Sequence, residues 1–164
     1  MPLRRRLIRF VGALAVITPF AALAGGDQPV RLQLQARLFH SASGSFSPDL
    51  LAPGAPDLWN VIASDDPSTA TLVVVAVRLA PGAVLRSQAQ VRVTAHEQLP
   101  KGGERVALDR SLSIGPVVRG GSTHLGFWLQ GTGCRSLRLR ASMAPSPQMP
   151  PVMAVATLPF ACGE

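Results

Sequence analysis

The run Ala70 to Leu79, Ala-Thr-Leu-Val-Val-Val-Ala-Val-Arg-Leu, constrains the fold more than any other stretch of the chain. Its apolar residues occupy both parities, Leu72, Val74 and Ala76 on one and Val73, Val75, Val77 and Leu79 on the other. Successive side chains of a strand point to opposite faces, so this pattern predicts a central β-strand covered by protein on both sides. Valine is stiff at its first side-chain torsion and packs well on a pleated surface, which favours strand over helix. The run is also far shorter than the roughly 20 apolar residues that cross a bilayer as a helix. A sandwich core is the expectation.

Residues 1–24 read as a secretory signal peptide rather than as part of that core. Arg4, Arg5, Arg6 and Arg9 make a basic beginning, Phe10 to Leu23 an apolar stretch, and Ala22-Leu23-Ala24 a small-x-small cleavage site before Gly25. Arg4-Arg5-Arg6-Leu7-Ile8 also fits a loose twin-arginine pattern. Cleavage after Ala24 would leave residues 25–164 as a single β-sandwich domain in the periplasm or outside the cell. No basic stop-transfer cluster follows the apolar stretch, so no stable membrane anchor is expected after cleavage.

The leader holds four of the 16 Lys and Arg and none of the nine acids, so the rest of the chain carries a formal charge of only +3. Its basic residues are spaced singly with few aromatics among them, which argues against a nucleic acid partner. Ala, Gly, Pro and Arg are abundant while Lys101 is the lone lysine and tyrosine is absent, a bias typical of high-GC bacterial genomes.

Further strands follow from alternation. Val30 to Phe39 places Val30, Leu32, Leu34, Ala36 and Leu38 on one face and Arg31, Gln33, Gln35 and Arg37 on the other. Ala89 to His96, Arg105 to Ile114, Thr123 to Gln130, Cys134 to Met143 and Val152 to Phe160 read as strands, and Leu58 to Ile62 as a short one. Pro100 to Gly103 should close a hairpin, and Gly115 to Gly121 should form a corner where the chain changes sheets. Eight or nine short strands and no amphipathic helix predict an all-β, antiparallel β-sandwich of immunoglobulin-like size.

Two cysteines in an exported chain predict one disulfide, Cys134 to Cys162. The pair is symmetric about Gln148, so a plain hairpin would set the two cysteines opposite each other. That register would also place outward Arg138 and Arg140 beside apolar Leu158 and Ala156, a conflict calling for a bulge or a bridge between sheets.

No spacing in the chain matches a nucleophile elbow, a zinc cluster, a phosphate loop or a dinucleotide turn. The expected class is a non-enzymatic binding or accessory module of the bacterial cell envelope with a protein partner and no cofactor. The segment His40 to Asp57 is long, serine-rich and aperiodic, and such loops are uncommon without a purpose. Its Phe46, Leu50 and Leu51 must tuck onto the body or meet a partner, which makes His40, Phe46, Leu50 and Leu51 the candidate partner loop. An alternative is a periplasmic copper carrier, with Met143, Met149, Met153 and His124 offering thioether and imidazole ligands to Cu(I). Another is a pilus-type subunit exchanging Val30 to Phe39. Asp57, Asp65 and Asp66 offer oxygens to Ca²⁺, Arg119, Arg135, Arg138 and Arg140 a basic stripe, and Trp59 and Trp128 bulk for the core.

Overall fold

The computed structural model describes residues 29–85, 88–117, 121–144 and 151–163. The expected leader and its cleavage site, Arg119 and Met149 lie outside these residues. Eight strands are found among them: β1 (Val30–His40), β2 (Ser45–Phe46), β3 (Ala70–Leu79), β4 (Ala89–Gln98), β5 (Glu104–Ile114), β6 (Ser122–Gln130), β7 (Leu137–Met143) and β8 (Val152–Leu158). They form two antiparallel four-stranded sheets, in the orders β2-β1-β3-β6 and β5-β4-β7-β8. The chain crosses from the first sheet to the second after β3, returns for β6, and crosses again before β7. Every strand except the exposed two-residue β2 turns residues into the core, and the inner faces of the two sheets meet as a sandwich with β1 across from β8 and β5 across from β6.

The central strand has the predicted bounds. Val73, Val75 and Val77 are fully buried in one core with Val91, Val93 and Ala95 of β4 and Leu137, Leu139 and Ala141 of β7. The other parity is less covered than its composition implied. Leu72 and Val74 are half-buried, because no second layer lies over the outer face of the sheet among the described residues. β1 keeps its predicted alternation and pairs β3 from Val30↔Leu79 to Phe39↔Ala70. On its other side β1 meets a strand only at Phe39 and His40, where it pairs the two-residue β2.

Leu58 to Ile62 is not a strand. Trp59 makes an isolated parallel bridge to Ala161, and Val61–Ala63 is a turn of 3₁₀ helix. The reason lies at Asn60, whose φ of 52° puts it in the left-handed region that asparagine tolerates better than most residues, and this breaks the extended run.

The final hairpin settles the cysteine conflict. β7 pairs β8 as Leu137↔Leu158, Arg138↔Thr157, Leu139↔Ala156 and Arg140↔Val155, one residue away from the symmetric register. Leu137, Leu139 and Leu158 now share the buried face while Arg138 and Arg140 stay outside. A one-residue slip would have exchanged those faces, so hydrophobic parity overrules the symmetry of the cysteines. Cys134 and Cys162 bond to each other just beyond the ends of the two strands, with Cα atoms 4.8 Å apart. β7 therefore starts at Leu137 rather than at Cys134. Gly133 makes the approach possible: its φ is 123°, and a side chain there would meet Ile62 Cγ2 at 2.7 Å.

Two buried polar pairs lock one end of the sandwich. The Thr71 and Thr132 hydroxyls hydrogen-bond at 2.7 Å inside the core. The Glu97 carboxylate, only 6% exposed, is paired by Arg105 and lies 3.6 Å from Arg135. An irregularity in the β4/β5 pairing at Ala95/His96 brings Arg105 opposite Glu97.

Candidate partner-binding surface

The loop after β1 is an anchor and a display in one segment. β2 pairs only Phe39 and His40 of β1. Beyond it, side chains continue the ladder: the Leu38 N–H donates to Ser47 Oγ (2.9 Å) and the Ala36 N–H donates to Asp49 Oδ1 (3.0 Å). Backbone bonds return from Ser47 N–H to the Leu38 carbonyl (3.0 Å) and from Leu50 N–H to the Ala36 carbonyl (2.8 Å). Serine and aspartate compete well for backbone groups, so a serine-rich loop can cover a strand edge without being a strand. Asp49 Oδ1 also accepts from the Leu51 N–H (3.1 Å), which bends the chain inward. Leu50 then enters the core at 6% exposure and Leu51 packs against it.

The other end of the loop is clasped to the approach to β3. His40 Nδ1 donates to the Asp66 carbonyl (2.7 Å), and the Ser43 hydroxyl donates to Asp66 Oδ2 (2.8 Å). Ser64 Oγ donates to the same Asp66 carbonyl (3.0 Å). Serine, histidine and aspartate thus meet, but the serine hydroxyl is tied to the carboxylate and not to the imidazole. A hydrolytic triad needs the hydroxyl on the imidazole and the carboxylate behind it. The arrangement holds a loop.

Phe46 is what this anchoring leaves in water. It lies opposite Phe39 in the β1/β2 pair, and its ring centroid is 5.3 Å from that of Phe39. Trp128 of β6 closes the group, 5.4 Å from Phe39 and 6.2 Å from Phe46, with near-perpendicular planes in the second case. Edge-to-face packing of this kind adds about 0.5–1.5 kcal/mol per pair beyond area burial. The register explains how strands two places apart share one cluster. Phe39 faces Ala70, Trp128 faces Leu72, and the small Ala70 leaves room for the rings to meet over β3. Phe46 stays 46% exposed and Trp128 40%.

The surface continues around the edge of β6. Leu108 and Leu112 of β5 and Phe127 of β6 line a cleft of about 430 Å³ between the two sheets, with Trp128 at its rim. Away from the rings, the same outer face carries Gln33, Gln35 and Arg37 of β1 with Gly126 and His124 of β6. The aromatic corner therefore gives way to polar side chains of β1 and β6 flanking the half-buried Leu72 and Val74 of β3.

No family model matches the sequence, and no curated protein matches it either. Among solved structures, the chain is similar to a red sea bream transglutaminase, at 18% sequence identity and a TM-score of 0.49. The match covers 82% of this chain and 17% of that one, so this chain spans less than a fifth of the transglutaminase's length. A likeness at that level says nothing about chemistry.

The sequence-derived candidates separate into those the fold gathers and those it does not. Phe46 is displayed, Leu50 and Leu51 are anchors, and His40 is a clasp. Met143, Met153 and His124 are not gathered. Met143 is buried in the core at 1% exposure, whereas Met153, opposite Ser142 in the hairpin register, lies on the outer face at 54%. His124 is on the outer face of the other sheet. Strand parity thus sends Met143, Met153 and His124 to three different surfaces. Among the described residues no group of three or more His, Cys, Asp and Glu is placed to hold a metal ion, Asp57, Asp65 and Asp66 included.

Trp59 and Trp128 do not anchor the core; both are exposed, Trp59 against Gly163 at one end of the sandwich. Phe39 and Trp128 escaped the sequence reading as a pair, although one signal was present. Each is aromatic at a position whose strand parity is otherwise polar, following Arg37 in β1 and preceding Gln130 in β6.

Proposed function

We propose that this chain is an exported, non-enzymatic, immunoglobulin-like module of the bacterial cell envelope that captures a protein partner on its aromatic corner. The observation that carries the reading is the ring cluster of Phe39, Phe46 and Trp128, held in fixed geometry yet left open to water. Aromatic side chains that stay rigid and exposed offer large apolar contact area at little further entropy cost, which is why they are enriched where partners dock. The cleft beside Trp128 extends the same surface along an edge strand, where a partner's extended segment can add main-chain bonds.

The immunoglobulin-like part of the reading is supported by strand order. Setting aside the two-residue β2, the first, second and fifth strands make one sheet and the third, fourth, sixth and seventh the other. That is the A-B-E against C′-C-F-G arrangement of immunoglobulin-type sandwiches. Export is supported by the disulfide, since such bonds persist in oxidising compartments, together with the leader pattern of residues 1–24. Among the described residues no helix is long and apolar enough to cross a membrane.

The test is site-specific photo-crosslinking in the producing cell. A crosslinker at position 46 should give a discrete adduct that disappears with Trp128→Ala, while one at Ser111 on the opposite sheet should give none. Equal adducts from both positions, or an adduct indifferent to Phe39→Ala and Trp128→Ala in a folded protein, would remove the aromatic corner as the docking site.

A further inference from the structure

The outer face of the β5-β4-β7-β8 sheet holds a second feature, independent of the aromatic corner. Arg138 and Arg140 sit two residues apart on β7, so both side chains leave the same face of the sheet from backbone positions about 6.6 Å apart along the strand. Across the pair, Thr94 of β4 is the register partner of Arg140 and His96 that of Arg138. With Glu104 these residues line a shallow depression of about 200 Å³.

The charges here are unevenly matched. Arg92 has a carboxylate to itself, through two bonds to Asp109 of 2.8 and 2.6 Å. The Arg92 hydrogen bond, more than its bare charge, holds the Asp109 carboxyl below the usual carboxylate range. Glu104, by contrast, is shared. It accepts from Gln98 Nε2 at 2.7 Å, lies 3.3 Å from His96 Nδ1, and reaches Arg138 only at 4.0 Å. Arg140 has no carboxylate partner among the described residues; its hydrogen bond goes to the thioether sulfur of Met153 at 2.9 Å. A thioether is a weak acceptor, so most of that guanidinium's donor capacity faces solvent.

We infer that Arg138, Arg140 and Thr94 form a binding site for a phosphate group. Two guanidinium forks and a hydroxyl converge on one depression from two strands, and a tetrahedral oxyanion has enough oxygens to accept from all three at once, whereas a planar carboxylate offers two. Glu104 is the internal competitor: it draws Arg138 toward itself and adds a negative charge at the rim. The phosphate group belongs either to a free phosphate ion or to a lipid headgroup.

The test titrates the full chain with inorganic phosphate at constant ionic strength and follows the arginine side-chain N–H and backbone amide signals by NMR. Saturable shifts should be confined to Thr94, Arg138, Arg140 and their neighbours, and sodium chloride should not produce them. Arg140→Gln should weaken binding at least about tenfold with an unchanged melting temperature, and Arg140→Lys should recover only part of it, because the charge returns without the fork. Glu104→Gln should tighten binding severalfold. A second arm measures flotation with vesicles of phosphatidylcholine with and without phosphatidic acid. Flotation that needs phosphatidic acid and is lost in Arg138→Gln/Arg140→Gln assigns a lipid headgroup, while phosphate titration without flotation assigns the free ion. Shifts spread over all arginines, shifts reproduced by chloride, or binding unaffected in Arg140→Gln would overturn the site.

Discussion

Removing the Cys134–Cys162 bond should lower stability without changing the fold. The bridge closes a loop of 28 residues containing β7 and β8. In the chain-entropy treatment, a loop of this length restricts the unfolded chain by about 12 cal/mol/K, which is about 3.6 kcal/mol at 25 °C. For a domain of this size, at about 2 cal/mol/K of unfolding entropy per residue, the loss corresponds to a fall of about 12 °C in melting temperature. The native state has other means of holding the same segment. Phe160 is buried in the core, the Asn60 N–H donates to the Ala161 carbonyl (2.7 Å), and the Ala161 N–H donates to the Leu58 carbonyl (3.3 Å). Near-UV circular dichroism of the two tryptophans should therefore match between oxidised protein, reduced protein and the Cys134→Ala/Cys162→Ala variant. Calorimetry of the three separates the effects, because reduction removes the bond alone while the double variant also removes both sulfurs. A loss below about 1 kcal/mol in both cases would refute the loop-entropy argument. A collapsed near-UV spectrum would show instead that the bond holds the native packing itself.

Three smaller perturbations test the surrounding structure. Leu50→Ala empties a buried site and should cost about 2–4 kcal/mol, whereas Phe46→Ala, only four residues away in sequence but exposed, should cost under about 1.5 kcal/mol; urea denaturation of the pair distinguishes anchor from display. Thr71→Val leaves the buried Thr132 hydroxyl without its partner and should cost about 1–3 kcal/mol, while Thr71→Val/Thr132→Val should cost less than the sum of the single changes, as a thermal-denaturation double-mutant cycle will read. The Asp109 carboxyl is held low by the Arg92 hydrogen bond, so its contribution is complete above the unfolded aspartate value of about 3.9 and is lost as the pH falls through the lower folded value. Carboxyl ¹³C titration should show that low midpoint, and Arg92→Gln should return it toward the ordinary range.

Much of the fold was legible because alternation is a direct record of burial. β3 has the bounds read from its valines, β1 the parity read from its glutamines and arginines, and the chain changes sheets between β5 and β6 near the predicted corner at Gly115 to Gly121. Readings failed where a single backbone angle or a long-range pairing decided the outcome. Five apolar-rich residues at Leu58 to Ile62 look like a strand until Asn60 turns left-handed. The cysteine symmetry suggested a register that the leucines of β7 would not accept. The long loop looked aperiodic because its order comes from Ser47 and Asp49 side chains bonding β1, a partnership with no period in the sequence. The methionines looked like a cluster by proximity alone, and strand parity divided Met143 from Met153.

Both proposed surfaces rest on register, and the register of β1 is over-determined. Sliding β1 by one residue along β3 would bury Arg37 and Phe39 and expose Ala36 and Leu38. It would also turn the Ala36 and Leu38 N–H groups away from Asp49 and Ser47, so the core and the loop oppose the slip independently. The same bonds account for the position of Phe46. Ser47, Asp49 and Leu50 each spend their side chain on holding the segment to β1 or to the core, and Phe46, directly before them, is carried onto the outer face opposite Phe39. The loop is therefore rigid where it displays an apolar ring, and a rigid exposed ring loses little further freedom when covered. Weakening the anchor without touching the ring, as Asp49→Ala does, should then reduce crosslinking from position 46 even though no residue of the aromatic corner has changed.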